Sequence, residues 1–104
     1  MDASEIVELE GKAGLIAERL RALGHDARLL VLCRLAKDGE VTAGSLTGIG
    51  GLSQSALSQH LARMREDGIV TYRREGQTLW YRIADNKIEQ LMGVLFDLYC
   101  GKPA

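Results

Sequence analysis

The two cysteines carry the most reactive side chains of this sequence. They stand at positions 33 and 100, 67 positions apart. They form no CxxC pair, and with the histidines His25 and His60 they form no cluster spaced like metal ligands. Cysteine is also among the residue types most often buried, and both cysteines fall within apolar helical patterns. From the residues alone, buried core thiols are the favoured interpretation and a redox pair is the alternative.

A second set of functional candidates lies in the stretch Leu52–Asp67, with the sequence LSQSALSQHLARMRED. Leu57, Leu61 and Met64 recur at helical spacing and predict one buried stripe. Ser53 precedes the stripe and is a good N-cap. The opposite face carries side chains suited to base edges, followed by a cation suited to phosphate: Gln54, Ser55, Ser58, Gln59, His60 and Arg63. A polar face that is only solvated is the alternative interpretation.

Positive charge is concentrated around that stretch. The whole chain has a net charge of -1, but residues 53–82 hold five arginines against three acidic residues, a balance of +2. The field of this region can therefore differ in sign from the rest. Length and composition, with 104 residues, 46% apolar and 26% charged, predict one globular domain over 1–104.

The sequence also indicates where the protein is expected to reside and whether it has membrane partners. No run of 18 apolar residues occurs, so no membrane span is expected, and the acidic N-terminal stretch MDASEIVELEGK lacks a signal-peptide core. We therefore expect a cytoplasmic protein without membrane partners. In a reducing cytoplasm a permanent structural disulfide is disfavoured.

Hydrophobic periodicity predicts a mainly α-helical fold with one β-hairpin. The predicted helices cover residues 3–23, 26–37, 42–49, 53–66 and 85–99. Asp26, Thr42 and Asp85 are the predicted N-caps of three of them. After Gly68 the period changes from about 3.6 to about 2, which predicts strands over 69–74 and 78–83.

This order of elements is typical of a winged helix-turn-helix, in which a helix enters the major groove and a hairpin forms the wing. Arg73, Arg74 and Thr78 lie beside the hairpin tip, where they can reach phosphates or the minor groove. The first and last helices, about 3–23 and 85–99, carry more apolar surface than one small domain covers. We therefore expect them to pair in a two-fold homodimer.

The segment LSQSALSQHLARMREDGIVTYRREGQTLWYRIAD resembles the signature region of the ArsR/SmtB family of bacterial transcriptional repressors. The resemblance runs from about Leu20 to Cys100. It implies a homodimer, a recognition helix at 53–66, a wing at 70–83, and repression of an inverted-repeat operator that an inducer relieves.

Many members of that family sense metals, but this chain lacks their usual ligands. The stretch Val41–Leu46 has no cysteine where arsenic and cadmium sensors carry a thiolate pair. The last predicted helix offers Asp85 and scattered acids, and no histidine follows His60. Metal sensing of those types is therefore disfavoured, and no metal site or cofactor is predicted.

The positions of Cys33 and Cys100 resemble the BigR/SqrR-type branch, which responds to reactive sulfur species, and the related HlyU-type regulators. The resemblance implies that persulfides or polysulfides join the two thiols through a disulfide or polysulfide bridge and release DNA. One departure is His25-Asp26, where the family commonly has His-Pro. The chemistry requires an accessible thiolate and a second sulfur within bridging range. His25, Arg28 and Tyr99 are candidates to tune the pair.

The predicted function is thus a DNA-binding repressor that senses reactive sulfur species. Alternatives are a repressor of the same fold that senses peroxide or general thiol oxidation, and a metal sensor with an unrecognised site. A third is a winged helix that binds another protein. An enzyme is not expected, because neither histidine has neighbours that suggest acid–base or nucleophilic catalysis.

Overall fold

Helices dominate the fold and a small antiparallel sheet completes it. The structure, a computed structural model, describes residues 1–101. In chain order the elements are α1 (Ala3–Leu23), α2 (Asp26–Asp38), β1 (Val41–Thr42), α3 (Gln54–Glu66), β2 (Val70–Glu75), β3 (Thr78–Ile83) and α4 (Asn86–Cys100). Two single 3₁₀ turns, Gly44–Leu46 and Ile49–Gly51, connect β1 to α3. The predicted class, mainly α with a hairpin wing, is confirmed.

Polar side chains fix the starts of the helices. The Asp2 carboxylate accepts a hydrogen bond from the Glu5 amide at 2.8 Å, and the Glu5 carboxylate accepts one from the Asp2 amide at 3.2 Å. This reciprocal pair is a capping box. Asp85 caps α4 as predicted, since its carboxylate accepts from the Lys87 amide at 2.9 Å. These caps satisfy backbone amides that have no partner within the helix.

The predicted cap of α2 is wrong by one residue. His25 is the N-cap, with extended backbone, and its Nδ1 accepts from the Ala27 amide at 3.2 Å. Asp26 is already the first helical residue, and its carboxylate accepts from the same amide at 2.8 Å. An imidazole nitrogen can accept as a carboxylate does, so the sequence offered two adjacent acceptors for one amide.

The predicted helix over 42–49 does not form. Val41 and Thr42 instead pair with Tyr81 and Trp80 of β3, so their backbone serves a sheet rather than a helix. Thr42 still acts as a local cap, because its hydroxyl accepts from the Ser45 amide at 3.1 Å. The following glycines at 48, 50 and 51 have φ values of 84°, 61° and 75°, which are incompatible with an α-helix.

One of these glycines packs closely against α2. A Cβ atom built on Gly50 would lie 3.2 Å from Cβ of Ala27 and 3.4 Å from Cδ1 of Leu30. The close packing of this turn on α2 therefore depends on glycine at position 50 and on the small side chain of Ala27 opposite it.

The sheet has the strand order β1-β3-β2, with all neighbours antiparallel. The hairpin closes with Glu75 opposite Thr78 and a two-residue turn in which Gly76 has φ 62°. Strand β2 ends one residue later than predicted. The third strand, β1, was not predicted at all.

The core joins α2, α3, α4 and the sheet. Leu32, Leu46, Met64 and Ile69 are fully buried in it. By contrast, α1 buries only Leu23. Its large apolar side chains are exposed, and so are several on the second half of α4: Ile6, Val7, Leu9, Leu15, Ile16 and Leu20, with Val94, Phe96, Leu98 and Tyr99. These are the two surfaces that the sequence predicted to pair in a dimer.

Candidate nucleic-acid interface and thiol site

Helix α3 has the two faces that its sequence predicted. Leu57, Leu61 and Met64 are buried in the core. The hydroxyl of Ser53 caps the helix by accepting from the Ala56 amide at 3.1 Å. The polar side chains Gln54, Ser55, Ser58 and Gln59 are all exposed. The helix therefore presents neutral donors and acceptors to an outside partner, as base recognition requires.

His60 differs from its polar neighbours because it turns toward α2. It is half-buried, its Nδ1 accepts from Nε of Arg28 at 2.9 Å, and its ring lies 4.5 Å from that of His25. Burial lowers the pKa of His60, and the charges of Arg28 and His25 lower it further. The neutral imidazole thus links α3 to the start of α2.

Three predicted phosphate ligands remain accessible. Arg63 is exposed and pairs with Asp67 at 3.5 Å, a surface ion pair of the kind that contributes little and can exchange for phosphate. Within residues 1–101, Arg74 forms no ion pair and is exposed. Thr78 is exposed where β3 begins. Arg63 thus lies on α3 itself, and Arg74 and Thr78 lie beside the hairpin tip.

Arg73 has other partners. Two of its nitrogens donate to the Glu40 carboxylate, and a third donates to Glu75. Its guanidinium also lies over the Trp80 ring. Its contacts therefore differ from those of Arg74, which forms no ion pair within residues 1–101.

Arg19, which the sequence analysis did not single out, ties α1 to the rest of the domain. It donates to the backbone carbonyl of Asp67, the C-cap of α3, and its Nε lies 3.7 Å from the carboxylate of Asp85, the N-cap of α4. One guanidinium thus joins three helices. No local pattern could reveal it, since its partners lie 48 and 66 positions along the chain.

Cys33 and Cys100 lie on two helices that pack together. Cys33 of α2 is partly buried in a groove between α2 and α4, and Cys100 is the exposed last residue of α4. Both are free thiols. Burial raises the pKa of Cys33, and the negative charge of a Cys100 thiolate raises it further.

We call the space between these helices the α2–α4 groove. It has a volume of about 520 Å³, and its apolar lining includes Leu30, Ile49, Met92 and Phe96 beside Cys33. Of the candidate tuning residues, His25 and Arg28 are engaged with His60, while Tyr99 is exposed next to Cys100.

The described residues offer neither a metal site nor a membrane-spanning helix. Across 1–101, no group of three or more histidine, cysteine, aspartate or glutamate side chains is arranged to hold a metal ion. In the same residues, no helix combines the length and the apolar character that a membrane crossing needs.

Comparison with known proteins agrees with this geometry. Residues 25–72 match the family model described as "Bacterial regulatory protein, arsR family". The chain is 40% identical over 97 residues to the HTH-type transcriptional regulator YgaV of Escherichia coli K12, covering 93% of this chain and 98% of the relative. The crystal structure of the transcriptional repressor BigR from Xylella fastidiosa superposes with a TM-score of 0.83 at 34% identity, covering 98% of this chain and 100% of that one. That of the transcriptional regulator HlyU from Vibrio vulnificus superposes with a TM-score of 0.82 at 38% identity, covering 92% and 99%.

A winged helix with these relatives is a DNA-binding transcriptional regulator and not an enzyme. The chain belongs to the arsR family of bacterial regulatory proteins.

Proposed function

We propose that this regulator is a homodimeric repressor whose thiols Cys33 and Cys100 sense reactive sulfur species. The observation that supports the proposal is the packing of α2, which carries Cys33, on α4, which ends at Cys100. The curated relatives include biofilm growth-associated repressors of Xylella fastidiosa and Agrobacterium fabrum, the latter 39% identical over 92 residues. The cytoplasmic location stays a prediction.

The two thiols have different parts in the reaction. Cys100 is exposed, whereas burial and the raised pKa of Cys33 keep its sulfur protonated and a poor nucleophile. The Cys100 thiolate therefore attacks the outer sulfur of an organic persulfide, RSSH, which leaves a persulfide on Cys100 and releases RS⁻. The RS⁻ released in this step takes the proton of Cys33, whose sulfur then attacks the inner sulfur of that group, forms the disulfide and expels HS⁻.

The step balances with the persulfide as the two-electron oxidant. Two protein thiols and one RSSH give one disulfide, one RSH and one H₂S. Each sulfur atom added to the bridge consumes one more RSSH and releases one more RSH. A longer bridge also relaxes the requirement that the two Cα atoms lie within about 4.4–6.8 Å of each other.

A bridge of this kind acts on DNA through the dimer. It joins α2, which packs against the core, to α4, whose exposed apolar face we assign with α1 to the two-fold interface. A shift of α4 changes the separation of the two α3 helices, which must match half-sites about 34–36 Å apart. A hundredfold loss of operator affinity requires only about 2.7 kcal/mol of difference between the two states.

The proposed contacts follow from exposure and charge. Side chains placed near base edges or flanking phosphates are Ser53, Gln54, Ser55, Ser58, Gln59 and His60. Arg63, Arg74 and Thr78 are assigned to phosphates, because each is exposed beside α3 or the hairpin tip. Removing Arg74 as Arg74→Gln should lower the slope of log affinity against log salt by about 0.9, the loss of one phosphate contact.

The test measures binding to a labelled inverted repeat before and after addition of glutathione persulfide. The reduced wild type should bind, and the persulfide should weaken binding. Cys33→Ser and Cys100→Ser should bind as well as the wild type and lose the response. The matched control is Asp97→Asn, which changes the lining of the groove that holds Cys33 without removing a sulfur; it should respond normally.

One result would contradict the role of the thiol pair, and another would contradict the choice of inducer. A Cys100→Ser variant that still responds would exclude the thiol pair. Mass spectrometry of the treated protein would separate the inducers, since bridges with inserted sulfur indicate persulfide. A response to hydrogen peroxide alone, with a plain disulfide and two molecules of water as products, would favour the peroxide alternative.

A further inference from the structure

The side chain of Arg73 leaves β2, crosses β3 and meets the side chain of Glu40, the residue before β1. Arg73 of β2 lies opposite Trp80 of β3, which in turn lies opposite Thr42 of β1. The Arg73 guanidinium lies over the Trp80 ring, 5.3 Å from its centroid, and reaches Glu40 immediately before β1. We call the set Arg73, Trp80, Glu40 and Glu75 the Arg73 clasp.

The hydrogen bonds of the clasp involve all three nitrogens of the Arg73 guanidinium. Its Nε donates to Oε2 of Glu40 at 2.8 Å, its Nη2 donates to Oε1 of Glu40 at 3.1 Å, and its Nη1 donates to Oε2 of Glu75 at 2.8 Å. The Glu40 contact is bidentate, the geometry in which arginine binds a carboxylate most strongly. A DNA phosphate would have to displace that contact.

The charge balance also opposes phosphate at this point. One arginine faces two carboxylates, so the clasp carries a net charge of -1. Arg74, one residue further along, has no such partner in the described residues and carries its full positive charge outward. Arg73 and Arg74 are neighbours on β2, but the net charge around Arg73 repels a DNA phosphate, whereas the charge of Arg74 attracts one.

The clasp connects the wing to the helix that carries Cys33. Glu40 follows Asp38, the last residue of α2, after the single residue Gly39, whose φ is 81°. Strand β1 has only two residues, which is little pairing to hold this link against the sheet. Exposed ion pairs are individually weak, but a bidentate contact joined to a second carboxylate and a ring is the arrangement in which they do contribute.

We propose that Arg73 is a positioning residue, which fixes the β2–β3 wing to the link between α2 and β1 through Glu40, and that it is not a phosphate ligand. The inference departs from the sequence-based assignment of Arg73 to DNA. The part of the proposal that concerns DNA rests on the proposed operator binding, whereas the part that concerns the fixing of the wing does not.

The experiment compares Arg73→Gln, Glu40→Gln and the double variant with Arg74→Gln as the matched control. In free protein, amide hydrogen exchange at residues 41–42 and 70–75 should rise about two- to fivefold in both single clasp variants and stay at the wild-type rate in Arg74→Gln. The amides of the double variant should exchange no faster than those of the faster single variant, because both substitutions break the same Arg73–Glu40 contact.

The DNA arm uses the labelled inverted repeat over a range of salt concentrations. Arg73→Gln and Glu40→Gln should weaken binding by a similar factor without changing the salt slope, whereas Arg74→Gln should lower the slope by about 0.9. If Arg73→Gln lowers the slope and Glu40→Gln tightens binding, Arg73 is a phosphate ligand that Glu40 restrains, and the proposal is wrong. If the wild type binds no inverted repeat, the proposed function fails, and unchanged exchange in the clasp variants would still overturn the clasp.

Discussion

Replacing Ser53 by alanine removes the side-chain cap of the helix that we assign to the major groove. The Ser53 hydroxyl accepts from the Ala56 amide at 3.1 Å, and alanine has no atom to replace it. Loss of such a cap costs about 1 kcal/mol. With an unfolding entropy of about 2.1 cal/mol/K per residue, a chain of this length should lose about 4–5 °C in Tm.

The measurement is thermal unfolding by circular dichroism at one fixed protein concentration, because a dimer's Tm depends on concentration. Two controls isolate the cap. Ser53→Asn keeps an acceptor at the N-cap and should retain the wild-type Tm. Ser58→Ala removes an exposed serine from the interior of the same helix, where alanine is the better helix former, and should not lower Tm.

The same variants separate the two roles assigned to Ser53. If Ser53→Asn restores Tm but not operator affinity, the serine also contacts DNA. A Ser53→Ala variant that unfolds at the wild-type temperature would refute the capping argument. So would an equal loss of Tm in Ser58→Ala, since that would trace the effect to the helix surface.

Three further predictions concern the imidazole, the dimer and the thiols. The pKa of His60 is lowered in the folded protein, so the unfolded chain binds more protons below about pH 6.5, and the free energy of unfolding should fall as the pH drops below that value. Urea unfolding at several pH values should show a smaller fall in His60→Gln than in the wild type. An equal fall in the two proteins would contradict this prediction. Leu98, 74% exposed on the apolar face of α4, should lie in the dimer seam, so Leu98→Glu should give a monomer of unchanged helicity by light scattering, whereas a persisting dimer would exclude this face. Iodoacetamide should modify exposed Cys100 before Cys33, as peptide mapping with time can check; equal rates would remove the proposed order of reaction.

The helices were predictable from sequence because their signals are local. The stripe of Leu57, Leu61 and Met64 is set by spacing within a few turns, and the caps Ser53 and Asp85 act on amides two or three residues away. Such patterns need no knowledge of the rest of the chain.

The features that the sequence analysis missed depend on distant partners. Val41 and Thr42 become a strand only because β3 lies beside them, about 40 positions later. The contact of Arg73 with Glu40 spans 33 positions, so no local pattern could reveal it. Tertiary pairing of this kind overrides local propensity.

The relation between Cys33 and Cys100 falls between these cases. Spacing alone favoured two unrelated core thiols, and only the resemblance to a family brought them together. In the structure α2, which carries Cys33, packs on α4, which ends at Cys100, and Cys33 is partly buried, as a core residue would be; the pairing of the two thiols stays a prediction.

Gly50 shows why surface exposure is a poor guide to mutational tolerance in this protein. The residue is exposed, yet its φ of 61° is strained for any other residue, and a Cβ atom there would lie only 3.2 Å from Cβ of Ala27. A library that randomises the solvent-facing positions should therefore find Gly50 almost unvaried, and the same constraint should restrict Ala27 from the other side. Engineers who graft tags, labels or crosslinkers onto this domain should leave both positions alone.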